Sequence, residues 1–146
     1  MTIDEFEKVT SQVNLLFGNL SIEQLNWKSS TEKWSIAQCL DHIIVSNSTY
    51  YPQLKKVISG EHKNSPYQNI KFISRFFGNY LIKKAGKEVN TPMKNPHVFA
   101  PSQSELPLSI ISDFEKHQLE FASLINQLGR IDLERTVINS PAFKLI

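Results

Sequence analysis

The sequence contains one cysteine, Cys39, among its 146 residues, so no disulfide can form within the chain. A single thiol is typical of proteins that work in a reducing compartment, and we expect a cytoplasmic location. The first five residues are acidic and lack the basic and apolar regions of a signal peptide. No apolar run approaches the roughly 20 residues of a membrane-spanning helix, so we expect no membrane partner.

The sequence also lacks a large excess of positive or negative charge. It contains 16 lysine and arginine residues and 14 aspartate and glutamate residues, which gives a net charge of +2. This balance is too small to indicate a nucleic-acid partner. Residues 55–94 are locally basic, with aromatic residues interleaved. Such a stripe contacts phosphates in some proteins, but we favour a solvated helix face with its aromatic residues in the core. No glycine-rich phosphate loop and no G-x-S-x-G nucleophile motif occurs.

Strand signals are nearly absent, and Val137-Ile138 is one short β-like pair in the tail. The sequence contains helical periodicity instead. Apolar residues recur at spacings of three and four, which predicts helices over about 3–18, 36–58, 69–84 and from 104 or 107 to 128. The sequence therefore predicts an all-α protein in which helix packs on helix, as one domain over residues 1–146.

Prolines and turn residues divide these helices. Pro52 lies inside the second helix and predicts a kink or a division there. Residues 21–24 predict the start of a short helical turn, and Thr2 and Glu5 form a capping-box pattern at the start of the first helix. Residues 86–107 contain four prolines and little periodicity, so we expect a long loop packed over one end of the domain.

The stretch from Trp34 to Ile43 is the most informative part of the chain. Ser35 and Gln38 form another capping-box pattern, which predicts a helix start. Beyond it, apolar residues at helical spacing define a buried stripe, and His42 lies on the neighbouring stripe. A histidine on the inner face of a helical bundle is either a satisfied core residue or a metal ligand.

The four histidines are His42, His62, His97 and His117, and no two have the i, i+3 or i, i+4 spacing of a helical metal site. His42 and His117 both lie on inward-facing stripes and are able to meet across a bundle, whereas the other two lie in loops. His42 is the candidate metal ligand. His117 is a second candidate, and its simpler interpretation is a partly buried residue of the apolar seam.

Cys39 precedes His42 by one helical turn, and a nucleophilic cysteine requires such a base nearby. A position in the middle of a helix, however, lacks the positive helix terminus that lowers the pKa of a thiol. We therefore expect Cys39 to be a small packing residue.

Two parts of the chain carry a resemblance to a known family. Residues 26–28 and 32–43 contain a Trp-Ser pair that opens a helix and, seven residues later, His42. Residues 135–146 contain an apolar pair, a proline-containing step and a short apolar run. In these features the sequence resembles the DinB/YfiT-like superfamily, whose fold is an up-down four-helix bundle and whose corresponding tail leads into the fourth helix.

The resemblance implies a metal site and an activity. Members of the family bind a divalent metal, often zinc or nickel, through three histidines, and the first of these matches His42. The other two form an H-x-x-x-H pair on the fourth helix, for which residues 1–146 contain no counterpart. Known activities are S-transfer with low-molecular-weight thiols, such as bacillithiol or mycothiol, and metal-dependent hydrolysis. The resemblance thus implies a small-molecule substrate. Because residues 1–146 contain only the first of the three histidines, we expect the protein to be metal-free or inactive as this sequence stands.

The resemblance also predicts a bundle that lacks most of its fourth helix. Such a helix buries roughly six apolar side chains at about 2 kcal/mol each, which is comparable with the whole stability of a domain. Either the chain is C-terminally incomplete, which we favour, or a second copy fills the exposed groove as a homodimer. The competing functional hypothesis is a non-catalytic helical module that binds a ligand or oligomerises.

Overall fold

The computed structural model of the protein describes residues 3–63 and 95–129, together with Thr136 and Ile138. These residues form helices α1 (Ile3–Phe17), α2 (Ile22–Asn26), α3 (Ile36–Ser48), α4 (Tyr51–Ile58) and α5 (Ile110–Leu128), with a short 3-10 helix (His97–Phe99) before α5. No strand occurs within the described ranges, and the predicted all-α class is confirmed. The helix predicted over 69–84 and most of the tail over 135–146 lie outside the described residues.

None of the helices in the described ranges combines the length and the apolarity needed to cross a bilayer.

The capping box predicted at Ser35 and Gln38 is present, whereas Thr2 of the box predicted with Glu5 lies outside the described residues. At the start of α3 the Ser35 hydroxyl accepts a hydrogen bond from the Gln38 backbone N–H at 3.1 Å, and the Gln38 side-chain oxygen accepts one from the Ser35 N–H at 3.2 Å. The short helical turn predicted at residues 21–24 is α2, and the structure shows that Ser21 and Gln24 make the same reciprocal pair at its start. Each pair satisfies backbone donors that the first helical turn cannot pair internally, so these two helix starts are encoded locally.

The predicted division at Pro52 is also observed. α3 ends at Ser48 and α4 begins at Tyr51, which places Pro52 in the first turn of α4. A first-turn residue has no intrahelical acceptor for its N–H, so proline is tolerated there. The chain restarts as a helix when Leu54 donates its backbone N–H to the Tyr50 carbonyl at 3.0 Å.

α5 is the central element of the core, since it packs against α1, α3 and α4. Near its N-terminus, apolar side chains from α2, α3, α5 and the preceding loop form one buried cluster: Leu25, Ala37, Leu40, Leu106, Ile110 and Phe114. Near its C-terminus a second cluster joins α5 to α4: Leu54, Val57 and Leu128. Between them, Phe6 of α1 meets Phe121 of α5 edge-on, with ring centroids 5.9 Å apart.

The loop that precedes α5 is attached to α2 and α3 by side chains that bond to its backbone. Asn26 pairs with Leu106 in both directions, donating to its carbonyl at 2.8 Å and accepting from its N–H at 2.9 Å. Lys28 donates to the Ser104 carbonyl at 3.0 Å. The described part of the predicted loop is therefore packed over one end of the helices, as expected. We call residues 99–106 the anchored segment.

Candidate site at His42

His42 lies on α3 and is half-buried, with one ring nitrogen directed at the anchored segment. Its Nδ1 lies 2.5 Å from the Phe99 carbonyl oxygen and 3.3 Å from the Ser46 hydroxyl one turn further along α3. A carbonyl oxygen only accepts hydrogen bonds, so this contact assigns the proton to Nδ1. The lone pair of the neutral ring is then on Nε2, the nitrogen that remains available to a ligand.

One aromatic side chain lies against this imidazole, and another packs on the residue whose carbonyl it contacts. The Trp34 indole lies beside the His42 ring, with centroids 5.0 Å apart and planes inclined by 46°, and Trp34 is 40% exposed. Tyr50 stacks on Phe99 at a centroid distance of 6.3 Å. The ring is therefore held between an indole on one side and a backbone carbonyl at its edge, and its orientation is defined by both.

His42 fits the role of a single metal ligand. A ligating histidine commonly donates its other ring N–H to a backbone carbonyl, which fixes the tautomer and the ring orientation, and Nδ1 of His42 makes this bond to Phe99. In the part of the chain that the structure describes, no group of three or more histidine, cysteine, aspartate or glutamate side chains is arranged to hold a metal ion. The described residues thus supply one imidazole donor to such a site.

His117 has a different environment from His42. It is 6% exposed, and its Nδ1 lies 3.2 Å from the Tyr51 hydroxyl. Its Nε2 is buried and has no hydrogen-bond partner among the described residues. Burial lowers the pKa of His117, and the nearby Glu120 carboxylate opposes this shift. The predicted core position is confirmed, and the two histidines share none of these partners.

Cys39 does not pack in the core. Its side chain is exposed, so the predicted packing role is wrong. Partial burial of the sulfur by neighbouring atoms nevertheless raises the pKa of the thiol, which reduces the thiolate fraction near neutral pH. Neither observation favours a nucleophile at this position.

Asp41 is the residue that the sequence interpretation missed. It is 7% exposed, and its Oδ2 accepts a hydrogen bond from the Ser102 backbone N–H at 2.5 Å. The signal for its burial was present, because Asp41 lies four residues after Ala37 and three before Ile44 on an otherwise apolar face. An acidic residue on such a face requires a partner, but nothing in the sequence identifies that partner as a backbone amide 61 residues away.

A family model described as the DinB superfamily matches residues 5–145. No curated protein and no solved structure matches the chain.

Proposed function

The chain belongs to the DinB superfamily, and from this premise we propose that His42 contributes one metal-binding imidazole to a reaction on a small-molecule substrate. The observation that carries the proposal is the hydrogen bond from Nδ1 to the Phe99 carbonyl. This bond leaves Nε2 with its lone pair and holds the ring in one orientation, which are the two properties that a ligating imidazole needs.

The residues around His42 have separate roles in this proposal. When bound, a divalent cation such as zinc or nickel supplies Lewis acidity that lowers the pKa of water or of a thiol. His42 binds through Nε2, and the Phe99 carbonyl orients the ring. Trp34 offers an exposed apolar surface beside the imidazole, which suits an apolar or planar part of the substrate.

The finer choice is between two reactions that differ in their nucleophile. In S-transfer the nucleophile is a low-molecular-weight thiol, and in hydrolysis it is water. Both require a deprotonated nucleophile near neutral pH, and both use the same imidazole donor. The proposal therefore covers a metal-dependent thiol S-transferase or hydrolase, and a direct assay with each nucleophile separates the two.

Metal binding by the protein tests the proposal. Zinc and nickel are titrated calorimetrically, and bound metal is counted by elemental analysis, for the wild type, His42→Ala and His97→Ala. His97 is an exposed histidine near the same segment, so His97→Ala is the matched control. Because the described residues supply one imidazole donor, we expect measurable binding, weaker than that of a three-histidine site, in the wild type and in His97→Ala, and loss of that binding in His42→Ala. A wild-type protein that binds neither metal contradicts the proposal.

The second candidate is a non-catalytic helical module that binds a ligand or forms a homodimer. It is favoured by exposed leucines on the two main helices, since Leu15 is 79%, Leu16 64% and Leu119 57% exposed. A contiguous patch of such side chains is typical of an interface between subunits. Light scattering after size-exclusion chromatography tests it: a dimer that Leu16→Gln converts to a monomer supports the module, and a monomeric wild type contradicts the dimer.

A further inference from the structure

We propose that Asp41 is a positioning residue that selects the tautomer of His42 through the anchored segment. Asp41 accepts a hydrogen bond from the Ser102 N–H, and this bond places the Phe99 carbonyl against Nδ1 of His42. Because the carbonyl only accepts hydrogen bonds, it keeps the proton on Nδ1. The functional value of this tautomer rests on the proposed function. The tautomer itself does not, because it is a property of the metal-free protein.

The first support is the pattern of contacts between α3 and the anchored segment. Asp41 and His42 are adjacent on the helix, and their partners Ser102 and Phe99 are three residues apart on the segment. Both contacts measure 2.5 Å. The two hydrogen bonds attach residues 99–102 to α3 at both ends. The position of the Phe99 carbonyl therefore depends on the bond that Asp41 accepts.

The second support is that the other side-chain anchors attach farther along the segment. Gln38 donates to the Gln103 carbonyl at 3.2 Å, and Asn26 pairs with Leu106. On the other side, within the described ranges, the Phe99 and Ala100 N–H groups bond to the preceding turn, at the Pro96 and His97 carbonyls. Among the side-chain hydrogen bonds of the described residues, the one to Asp41 is therefore the nearest to Phe99 apart from that of His42 itself, while Tyr50 contacts the Phe99 ring by stacking.

The third support is the energy of the buried carboxyl group. Asp41 is 7% exposed, and a buried polar group without a partner is strongly unfavourable. The bond to Ser102 is therefore maintained in the folded state. Because only two residues separate Ser102 from Phe99, the bond to Ser102 also keeps the Phe99 carbonyl close to Nδ1 of His42.

Ser46 explains why the carbonyl matters for the tautomer. The Ser46 hydroxyl lies 3.3 Å from Nδ1, and a hydroxyl both donates and accepts. If the Phe99 carbonyl moves away, Ser46 can pair with Nδ1 in either protonation state, and both neutral tautomers are then allowed. The Phe99 carbonyl only accepts hydrogen bonds, so it allows only the tautomer with the proton on Nδ1.

The test is nitrogen-15 NMR of the His42 ring in metal-free protein, which distinguishes the two neutral tautomers by the chemical shifts of Nδ1 and Nε2. We expect one tautomer in the wild type, with the proton on Nδ1, and a mixture of both in Asp41→Ala. Asp41→Asn keeps an acceptor oxygen for Ser102, so it retains the wild-type tautomer. Asn26→Ala is the matched control, because it releases the segment at Leu106 and leaves the tautomer unchanged.

Several results overturn the proposal. A folded Asp41→Ala protein with the wild-type tautomer removes the role of Asp41, and an Asp41→Asn protein with mixed tautomers shows that the hydrogen bond is not the cause. If Asp41→Ala does not fold, hydrogen exchange of the wild-type protein decides. A Ser102 amide that exchanges as fast as an unprotected amide shows that the bond is not maintained.

Metal affinity provides the functional readout and separates this proposal from the previous one. If both hold, the affinity for zinc falls about 10- to 100-fold in Asp41→Ala, the usual effect of losing an outer partner of a ligand, and stays near the wild-type value in Asp41→Asn. If His42→Ala leaves zinc binding unchanged, the proposed function fails, while the tautomer results still decide the role of Asp41.

Discussion

Tyr51 and His117 stack with ring planes 3° from parallel and centroids 5.5 Å apart, and the Tyr51 hydroxyl lies 3.2 Å from Nδ1 of His117. Phe121 extends the stack, with its centroid 5.9 Å from that of Tyr51 and 6.2 Å from that of His117. The three rings join α4 to α5 and bury an imidazole between the two apolar clusters. This arrangement couples a titratable group to the packing of the bundle.

The buried imidazole makes stability depend on pH. Burial lowers the pKa of His117 from its ordinary value of 6.5, so below that pH the unfolded chain binds more protons than the folded protein. The free energy of unfolding therefore falls as the pH decreases from 6.5 towards the folded-state pKa. Urea unfolding from neutral to mildly acidic pH measures this slope. We expect it to be smaller in His117→Phe and unchanged in His97→Gln, and equal slopes in all three proteins contradict the prediction.

Removing the Tyr51 hydroxyl destabilises the protein. Tyr51→Phe keeps the ring stack but takes away the described partner of Nδ1, and an unsatisfied buried polar group costs about 1–3 kcal/mol. Tyr50→Phe is the control, because no hydrogen bond of the Tyr50 hydroxyl occurs within the described ranges. Denaturant unfolding compares the two, and a Tyr51→Phe protein as stable as Tyr50→Phe shows that the bond has no net value.

Tyr51 ionises late in an alkaline titration. Burial, together with the nearby Glu120 carboxylate, raises the pKa of Tyr51 to about 12. Ultraviolet absorbance of phenolate, recorded for the wild type minus Tyr51→Phe, isolates this group. We expect the difference to develop near pH 12, and a difference that is complete near the ordinary value of about 10 rules out the burial argument.

Truncation of Phe114 tests the main core cluster. The side chain is 1% exposed, and a fully buried phenylalanine replaced by alanine costs about 3–5 kcal/mol. Leu119→Ala on the same helix is the control, since Leu119 is 57% exposed and its loss is expected to cost about 0.5 kcal/mol or less. Chemical denaturation gives both values. Similar losses in the two variants are inconsistent with the described core.

Release of Asn26 loosens the anchored segment at its far end. Asn26→Ala removes two hydrogen bonds to the Leu106 backbone, each worth about 1 kcal/mol. Hydrogen exchange at the Leu106 amide is expected to accelerate, whereas Asn14→Ala, on an exposed part of α1, leaves it unchanged. Undiminished protection of Leu106 in Asn26→Ala shows that other contacts hold the segment.

Several features of the fold and the site were predictable because their causes are local. The Ser35–Gln38 capping box spans three residues, and its bonds form wherever the chain turns into a helix there. Pro52 lacks an N–H, so it divides a helix without help from the rest of the fold. The position of His42 on an inner edge follows from its spacing relative to Leu40 and Ile43.

The sequence by itself determined the helical class, the helix starts at Ser21 and Ser35, and the presence of an imidazole on the inner side of α3. Only the tertiary structure decided which nitrogen of that imidazole is available, because the deciding carbonyl belongs to Phe99, 57 residues away. It also decided that Cys39 is exposed and that Asp41 is buried. The periodicity of a sequence shows which residues share a face of a helix. Which other residues pack on that face depends on contacts between segments that are distant in the chain.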